Sequence, residues 1–390
     1  MAKEKKYAGT RVLVLEGYCK QTLPYLRAFR AEGCEVSVLC NSRLDCAYLS
    51  RLPHHRIIDI CDPHKPEESE QTISRLIKSE KYDIIFSPFD FSSEILSRRK
   101  KEFSKFAKIC VNDADTYAAG ANKETVMRAC MEHDIPCPRT YFNVSTPDDL
   151  VALAPVFPII VKPKSMYGAR GFHILNSIEE VRDYFADGSR KLSEYVIQEQ
   201  ILPGSLVLSC TLYIDRHGQV KSDFIYVSEH IYPEDGGTST LNGILVRPDI
   251  SADCRRLVSL MGLKGIVSVD LMLDPRDDKG KVIEINVRSP HAVEIGFLQG
   301  INLARQLLQD AAGDEVEEMK LVNRNICLRI GQTDLLWWIT SKDRFRRRPS
   351  RLGYKSVHEQ MFYIDDPLPW FGFLLSGLLE FKKKMAEKRQ

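Results

Sequence analysis

The first 115 residues alternate apolar, strand-like runs with helix-like segments, and this alternation constrains the fold more than any other feature. The strand-like runs are 11–17, 35–40, 82–88 and 109–111, and the helical patterns are 22–32, 66–80 and 91–106. Strands that alternate with helices indicate a parallel, doubly wound sheet. Ligands of such sheets bind at the carboxyl ends of the strands, here loops 17–24 and 88–91. A G-x-G-x-x-G fingerprint is absent after the first strand, which disfavours NAD or FAD.

A hairpin pattern in the second half of the chain brings two carboxylates together. Two β-like runs flank the polar turn 274–280. Pairing Asp274 with Gly280 across that turn puts Asp270 opposite Glu284. The alternative is a solvated hairpin whose outer face is simply polar.

Further polar side chains follow on the same face of this hairpin. Because side chains alternate along a strand, Asn286 and Arg288 share a face with Glu284 and Asp270. Mg²⁺ takes one or two carboxylates and completes its shell with phosphate oxygens and water. The hairpin therefore suits a magnesium ion bound beside a phosphate group.

A lysine and a glycine-containing loop supply what a phosphate needs. Lys162 lies on the strand-like run 158–163, directly before loop 164–171, and Lys123 lies on a helix about forty residues earlier. A lysine beside free backbone N–H groups can hold a phosphate. The G-x-x-x-x-G-K-[ST] pattern of a P-loop is missing.

Composition limits the classes of function. The formal net charge of +2 on 390 residues disfavours a nucleic-acid partner. Eleven cysteines occur without C-x-x-C pairs or a zinc spacing, which fits a reducing cytoplasm. The N-terminus has no long apolar run of a signal peptide, and no run is long enough to span a bilayer. We therefore expect a cytoplasmic protein.

The order of these motifs resembles the ATP-grasp superfamily, over about residues 10–315. The matching segments are Asn122-Lys123, PIIVKP at 158–163, SMYGARG at 165–171, IQEQILPG at 197–204, VSVDLML at 267–273 and IEINVRS at 283–289. The chain looks most similar to the carbamoyl-phosphate-synthase-like branch of carboxylate–amine ligases.

The resemblance implies an α/β architecture with α+β ATP-grasp lobes. It implies a parallel, Rossmann-like pre-ATP-grasp domain over 1–115 and a small lid subdomain over 116–194. A central subdomain with the metal site would occupy 195–320, and a basic extension would occupy 321–390.

The resemblance also implies roles for individual residues. The implied ATP-binding residues are Lys123, Lys162, Gly168, Gly171, Gln198, Glu199, Gln200 and Ile201. The implied ligands of Mg²⁺ or Mn²⁺ are Asp270, Glu284 and Asn286, the implied catalytic arginines are Arg170 and Arg288, and the substrate candidates are Asp90, Gly237 and His291. One departure concerns the ribose, since the usual acidic position is Ser205 or Leu206 here.

The function implied is an ATP-dependent ligase that activates a small carboxylate as an acyl phosphate and joins it to an amine. Two alternatives stay open. One is an ATP-grasp carboxylase or phosphorylating enzyme, and the other is a nucleotide-binding, membrane-associated scaffold without turnover. A homodimer is also compatible with the sequence.

The C-terminal segment 324–390 has its own character, with fourteen Lys or Arg against seven Asp or Glu. An apolar run at 368–379 stands beside Lys382, Lys383 and Lys384. Such a run fits peripheral contact of 366–390 with the inner face of a membrane. The alternative is a C-terminal helix packed on the enzyme.

Overall fold

A computed structural model describes residues 5–164, 172–234, 236–345 and 356–387. Within these ranges the chain forms three β-sheets with five, four and seven strands. The sheets follow one another along the sequence, so that each is formed by a continuous stretch of chain.

The N-terminal sheet is parallel, as the alternation predicted, with strand order β3-β2-β1-β4-β5. Its strands are β1 (Arg11–Val14), β2 (Glu35–Cys40), β3 (His55–Ile58), β4 (Ile84–Phe86) and β5 (Lys108–Ile109). Its helices are α1 (Thr22–Glu32), α2 (Cys46–Leu49), α3 (Pro66–Ser79), α4 (Asp90–Arg98) and α5 (Lys100–Phe103). The edge strand β3 escaped prediction because three of its four side chains are exposed.

Both faces of this sheet are covered, which explains its unbroken apolar runs. Val12 and Val14 face a core that includes α1, whereas Leu13 and Leu15 face the core under α3. The core on the α1 side also contains residues of the seven-stranded sheet, for example Tyr226. The N-terminal sheet and the central sheet are therefore packed together.

Two helices, α6 (Ala114–Ala121) and α7 (Lys123–Glu132), lead to the small antiparallel sheet. The Asn122 side chain accepts a hydrogen bond from the Thr125 N–H at 3.1 Å, so α7 begins at Lys123. The small sheet has the order β6-β9-β7-β8 and packs against two helices on one face. Its elements are β6 (Thr140–Tyr141), α8 (Pro147–Ala152), β7 (Ile159–Pro163), β8 (His173–Leu175), α9 (Ile178–Phe185) and β9 (Tyr195–Glu199).

The central sheet has the order β14-β13-β10-β11-β12-β15-β16 and is antiparallel except for its last pair. Its strands are β10 (Leu206–Ile214), β11 (Val220–Tyr232), β12 (Thr238–Leu245), β13 (Gly265–Asp274), β14 (Lys279–Asn286), β15 (Ile326–Arg329) and β16 (Ser356–Glu359). The remaining helices are α10 (Pro248–Leu260), α11 (Glu294–Leu298), α12 (Leu303–Ala312), α13 (Gly331–Thr340) and α14 (Leu368–Glu387).

Sheet membership does not follow the expected segments everywhere. Strand β9 pairs within the small sheet although it follows residue 194, and β15 and β16 extend the central sheet from the C-terminal segment. The connection between β11 and β12 is short, because β12 already begins at Thr238. The domain limits themselves stay a prediction.

The register of the hairpin formed by β13 and β14 differs from the register that the sequence predicted. Asp274 pairs with Lys279 rather than with Gly280, so the assumed turn pairing is wrong. A β-bulge at Ile283 then shifts the register by one residue, and Asp270 stands opposite Glu284 after all. The predicted pairing of Asp270 with Glu284 is confirmed, but it depends on a bulge, whereas the prediction assumed a regular register.

Asp274 anchors the turn of this hairpin. Its fully buried carboxylate accepts a hydrogen bond from Arg276 Nε at 2.9 Å and contacts Lys281 Nζ at 2.6 Å. The hydrogen bonds from Arg276 and the Lys281 charge hold the pKa of Asp274 well below its usual range.

We expect Asp274→Asn to lower the free energy of unfolding at pH 7 by about 2 kcal/mol, because two buried charge-assisted contacts are weakened. A lowered carboxyl pKa stabilises the fold above the unfolded-state pKa of about 4 and loses that contribution as pH falls further. Urea unfolding should therefore show the two proteins converging below about pH 4. Asp277→Asn, at a more exposed carboxylate 3.5 Å from Lys281, is the control and should change little. An equal loss at all pH values would contradict this account.

Candidate active site

A row of polar side chains crosses the face of the central sheet that looks toward the N-terminal sheet. Asp270 lies opposite Glu284 on one side and opposite Ser209 on the other. Ser209 Oγ donates to Asp270 Oδ1 at 2.8 Å, and Asn286 Nδ2 donates to Asp270 Oδ2 at 2.8 Å. Asp270, Ser209 and Asn286 are thus joined by hydrogen bonds, and Glu284 stands opposite Asp270 across the strand pair; these four residues are called here the carboxylate row.

Arg288 connects the carboxylate row to the N-terminal sheet. Its guanidinium donates to Asn286 Oδ1 at 3.0 Å and, through Nε, to Asp90 Oδ2 at 3.0 Å. Asp90 is the first residue of α4, beyond the carboxyl end of β4, and its side chain is only 5% exposed. Next to it, Tyr25 Oη donates to Ser289 Oγ at 2.9 Å. The arginine is therefore fixed between two parts of the fold.

Two lysines approach the row from other elements. Lys123, at the start of α7, lies 3.2 Å from Glu284 Oε2. Lys162, on β7 of the small sheet, donates to the carbonyl oxygen of the bulge residue Ile283 at 3.0 Å. Both predicted cations thus reach β14 from elements outside the central sheet.

Burial and mutual repulsion set the charge states here. Burial, together with the negative charge of Glu284, raises the pKa of Asp270 to about 7. Burial lowers the pKa of Lys162 to about 8, although Glu284 opposes this change. Two close carboxylates that resist joint ionisation favour a divalent cation between them.

The donor set fits magnesium or manganese better than a softer metal. It consists of two carboxylates and one amide oxygen, which are the hard oxygen ligands that these ions prefer. Within the described ranges no group of three or more His, Cys, Asp or Glu side chains gathers in a metal-binding arrangement. A cation at Asp270 and Glu284 would therefore need further oxygen ligands from water or a phosphate.

The predicted adenine-binding stretch lies at the end of β9. The Glu199 carboxylate accepts from the Arg139 backbone N–H at 3.1 Å and from Arg276 Nη1 at 3.2 Å. Gln198 is buried and donates to Thr140 Oγ1 at 2.9 Å, which turns its side chain into the small sheet. Gln200 donates its backbone N–H to the Pro158 carbonyl at 3.1 Å, and Ile201 is buried. Of these side chains, Glu199 is the charged one, and it lies at the carboxyl end of β9.

The residues predicted to contact substrate differ in their surroundings. Asp90 pairs with Arg288, as described, and His291 Nε2 lies 2.9 Å from Ser239 Oγ. Burial, Lys20 and Arg288 together hold the pKa of His291 well below its usual range, so the imidazole is neutral at pH 7. A Cβ on Gly237 would meet the Tyr232 backbone at 2.1 Å, so this position admits only glycine. Arg170, Gly168 and Gly171 lie outside the described residues.

Sequence reasoning missed several polar residues around the site. Ser209 belongs to the carboxylate row, and its signal was a lone serine in an apolar strand. Glu16 follows β1, is fully buried, and accepts from Ser92 Oγ at 2.7 Å. Burial raises the pKa of Glu16 to about 7. Its position at the carboxyl end of a parallel strand was the available signal.

Comparison with known proteins places this geometry in context. No protein-family model matches the sequence. The chain is 25% identical over 254 residues to the D-aspartate ligase of Enterococcus faecium (strain Aus0004), covering 60% of this chain and 59% of the relative. It therefore spans about three fifths of the length of the curated relative that it matches.

Solved structures resemble this chain over most of its length. A biotin carboxylase domain of Hydrogenobacter thermophilus 2-oxoglutarate carboxylase, a dimer with MgADP and bicarbonate, aligns with a TM-score of 0.65 and 14% identity. It covers 78% of this chain and 70% of that one. The N5-carboxyaminoimidazole synthetase of Staphylococcus aureus aligns with a TM-score of 0.61 and 14% identity, covering 83% and 82%.

These likenesses define the fold. The chain has the ATP-grasp fold, with a Rossmann-like N-terminal part, and the predicted resemblance is confirmed at this level. Among its relatives in sequence is a ligase that uses an amino acid, as the name D-aspartate ligase states. The expected homodimer stays a prediction.

Asp270→Asn should stabilise the metal-free protein at pH 8, because it removes a buried charge beside Glu284. A carboxyl pKa raised to about 7 costs stability above the unfolded-state pKa, and the cost grows until about pH 7. We expect a gain of about 1–3 kcal/mol at pH 8 that disappears toward pH 4, measured by urea unfolding with a chelator. Glu318→Gln, at an exposed carboxylate, is the control and should show no such pH dependence. A loss of stability at pH 8 would mean that Asp270 carries its charge without penalty.

Proposed function

We propose that this chain is an ATP- and Mg²⁺-dependent ligase that activates a carboxylate as an acyl phosphate and joins it to an amine, releasing ADP and phosphate. The observation that carries the proposal is the carboxylate row. Asp270 faces Glu284, Asn286 and Arg288 continue the row, and Lys123 reaches it from α7. The ATP-grasp fold supports the same reaction class.

We assign each residue of the site a role that phosphoryl transfer requires. The reaction needs positioning and charge neutralisation more than a protein nucleophile. Asp270, Glu284 and Asn286 would hold Mg²⁺, which neutralises phosphate oxygens when it is bound. Lys162 would contact phosphate oxygens of ATP, and Arg288 would stabilise the transferred phosphoryl group. Arg288 is suited to this because Asp90 and Asn286 hold its planar fork in place.

Lys123 and Lys162 lie where each could exchange its contact with the protein for a contact with a bound phosphate. Lys123 contacts Glu284, and Lys162 contacts the Ile283 carbonyl. A bound phosphate would offer stronger charge-assisted contacts than a neutral carbonyl. Because Lys162 belongs to the small sheet, its move toward a phosphate would draw this sheet toward the central sheet. Such closure would exclude water from the acyl phosphate.

For the substrates we propose a small carboxylate and an amine, at least one of them an amino acid. The support is the relationship to a D-aspartate ligase, together with the cations on the N-terminal side of the site. Lys20 follows β1, and burial lowers its pKa to about 8. Lys20 and Arg288 both lower the pKa of the His291 imidazole, so two cations lie near this neutral ring, and together they suit a substrate carboxylate.

We also propose a cytoplasmic location. All eleven cysteines lie in the described residues and none forms a disulfide, as a reducing compartment requires. Among the described residues, no helix is long and apolar enough to cross a bilayer.

A carboxylase is the second candidate, because two structural neighbours are a biotin carboxylase domain and an N5-carboxyaminoimidazole synthetase. Both candidates begin with phosphorylation of a carboxylate or bicarbonate. They differ in the acid that triggers phosphate release.

Phosphate release from ATP with Mg²⁺ tests the proposal directly. Amino acids, other carboxylates and bicarbonate are offered singly and in pairs, with Glu284→Ala and Glu318→Gln as the matched variants. We expect release that requires a carboxylate, rises with an amine and falls by at least about a hundredfold in Glu284→Ala, since the metal loses a charged ligand. Release that requires bicarbonate alone would favour the carboxylase. If ATP does not bind at all, the assignment of the nucleotide site fails.

Asp90→Asn tests the position of Arg288 separately. The variant removes the charge that orients the guanidinium but leaves Glu284, Lys123 and Lys162 intact. We expect kcat to fall at least about tenfold while the Kd for ATP changes by less than about threefold. Asp115→Asn, at an exposed aspartate of α6, is the control. An equal loss of ATP affinity would show that Asp90 supports the nucleotide site rather than the transferred group.

A further inference from the structure

The two last helices expose large apolar side chains, in contrast to ordinary surface helices. Nine residues of α13 and α14 are between 39 and 58% exposed: Leu335, Leu336, Trp338, Ile339, Phe371, Leu374, Leu375, Leu378 and Leu379. These nine residues are called here the C-terminal apolar surface. A soluble surface helix normally turns such residues inward and its polar residues outward.

Helix α13 shows the inversion clearly. Its buried residues are Asp334 and Trp337, whereas Leu335, Leu336 and Ile339 point to solvent. Asp334 accepts from Thr240 Oγ1 at 3.2 Å, and Trp337 stacks on His230 with ring centroids 3.4 Å apart. Helix α13 thus turns Asp334 and Trp337 inward and three large aliphatic side chains outward.

Helix α14 also exposes large apolar side chains. Its inner side packs on α2 closely: a Cβ on Gly372 would meet Leu49 Cδ1 at 2.2 Å, and Ser376 Oγ lies 3.4 Å from the Leu44 carbonyl. Trp370 and Phe373 pack against the core, whereas Phe371 and the leucines stay exposed. No charged residue occurs from 368 to 379. Gln332 Nε2 donates to the Trp370 carbonyl at 3.2 Å, so the two helices begin side by side.

Positive charge borders this apolar surface. Arg344 follows α13 and donates to the Ile339 carbonyl at 3.1 Å, and Lys382, Lys383 and Lys384 stand in the last turns of α14. Segment 324–390 has seven more Lys and Arg than Asp and Glu, although the whole chain has a net charge of only +2. The segment that carries the exposed apolar residues is therefore also the one rich in basic residues.

We propose that the C-terminal apolar surface inserts into the interface of an anionic lipid bilayer, with the basic residues at the headgroups. Apolar residues, tryptophan and flanking lysine or arginine are the features of helices that lie in a membrane interface. Residues 368–379 span about 18 Å as a helix, which suits a helix lying in the membrane plane rather than one crossing about 30 Å of hydrocarbon. This inference does not depend on the proposed ligase chemistry.

Charge decides between a membrane and a second copy of the chain as the occupant. A two-fold contact would bring two strongly positive segments together, which repel one another. An anionic lipid surface attracts the same segments. The bilayer is therefore the occupant that the charges favour.

Co-sedimentation of the full chain with vesicles tests this inference. The vesicles are pure phosphatidylcholine or phosphatidylcholine with phosphatidylglycerol, at low and high salt. The test variant is Leu375→Gln/Leu378→Gln, and the matched control is Val151→Gln/Leu153→Gln, at residues that are 48 and 41% exposed on the small lobe. A second test variant, Leu335→Gln/Ile339→Gln, examines α13.

We expect binding to phosphatidylglycerol vesicles that salt weakens. Each test variant should reduce the partition coefficient by about tenfold or more, because insertion scales with the apolar area buried, and the control should bind normally. All variants should keep the unfolding midpoint and the vesicle-free activity of the wild type. Absence of vesicle binding by the wild type, or equal loss in the control, would overturn the inference. A dimer in solution that the Leu375→Gln/Leu378→Gln variant dissociates would also overturn it, in favour of a second copy.

Discussion

The ion pair between Arg288 and Asp90 connects the parts of the molecule that must act together. Arg288 continues the strand that carries Glu284 and Asn286, whereas Asp90 begins a helix of the N-terminal sheet. Both side chains are largely buried, so either one alone would leave an uncompensated charge in the core. Their pairing therefore fixes the N-terminal sheet against the central sheet and orients the guanidinium at the same time.

In the carboxylate row, hydrogen bonds and a lysine charge partly offset the repulsion between two neighbouring carboxylates. Asp270 gains hydrogen bonds from Ser209 and Asn286, and Glu284 gains the Lys123 charge. These contacts do not remove the repulsion, since burial and Glu284 still raise the pKa of Asp270 to about 7. In the proposed function a divalent cation would relieve this electrostatic cost, which is a common compromise between stability and function.

The C-terminal segment is part of the folded core structure and also carries an exposed apolar surface. Through β15 and β16 it extends the central sheet, and through α14 it packs on α2. Its outer surface is nevertheless apolar and bordered by positive charge. The sequence alternatives of a packed helix and a membrane contact are thus compatible, because Gly372 and Phe373 pack inward while Phe371 and the leucines of α14 remain exposed.

The sequence by itself determined the parallel N-terminal sheet, the order of the ATP-grasp motifs and the presence of Asp270 and Glu284 on one hairpin, because periodicity and alternation are local properties of the chain. Only the tertiary structure decided which distant residues meet. The pairing of Asp90 with Arg288 joins residues 198 positions apart, and no local pattern encodes such a contact. The bulge at Ile283 is similar, since its position depends on how β13 and β14 pack against their neighbours. Local chemistry therefore defined the elements, and long-range packing defined the site.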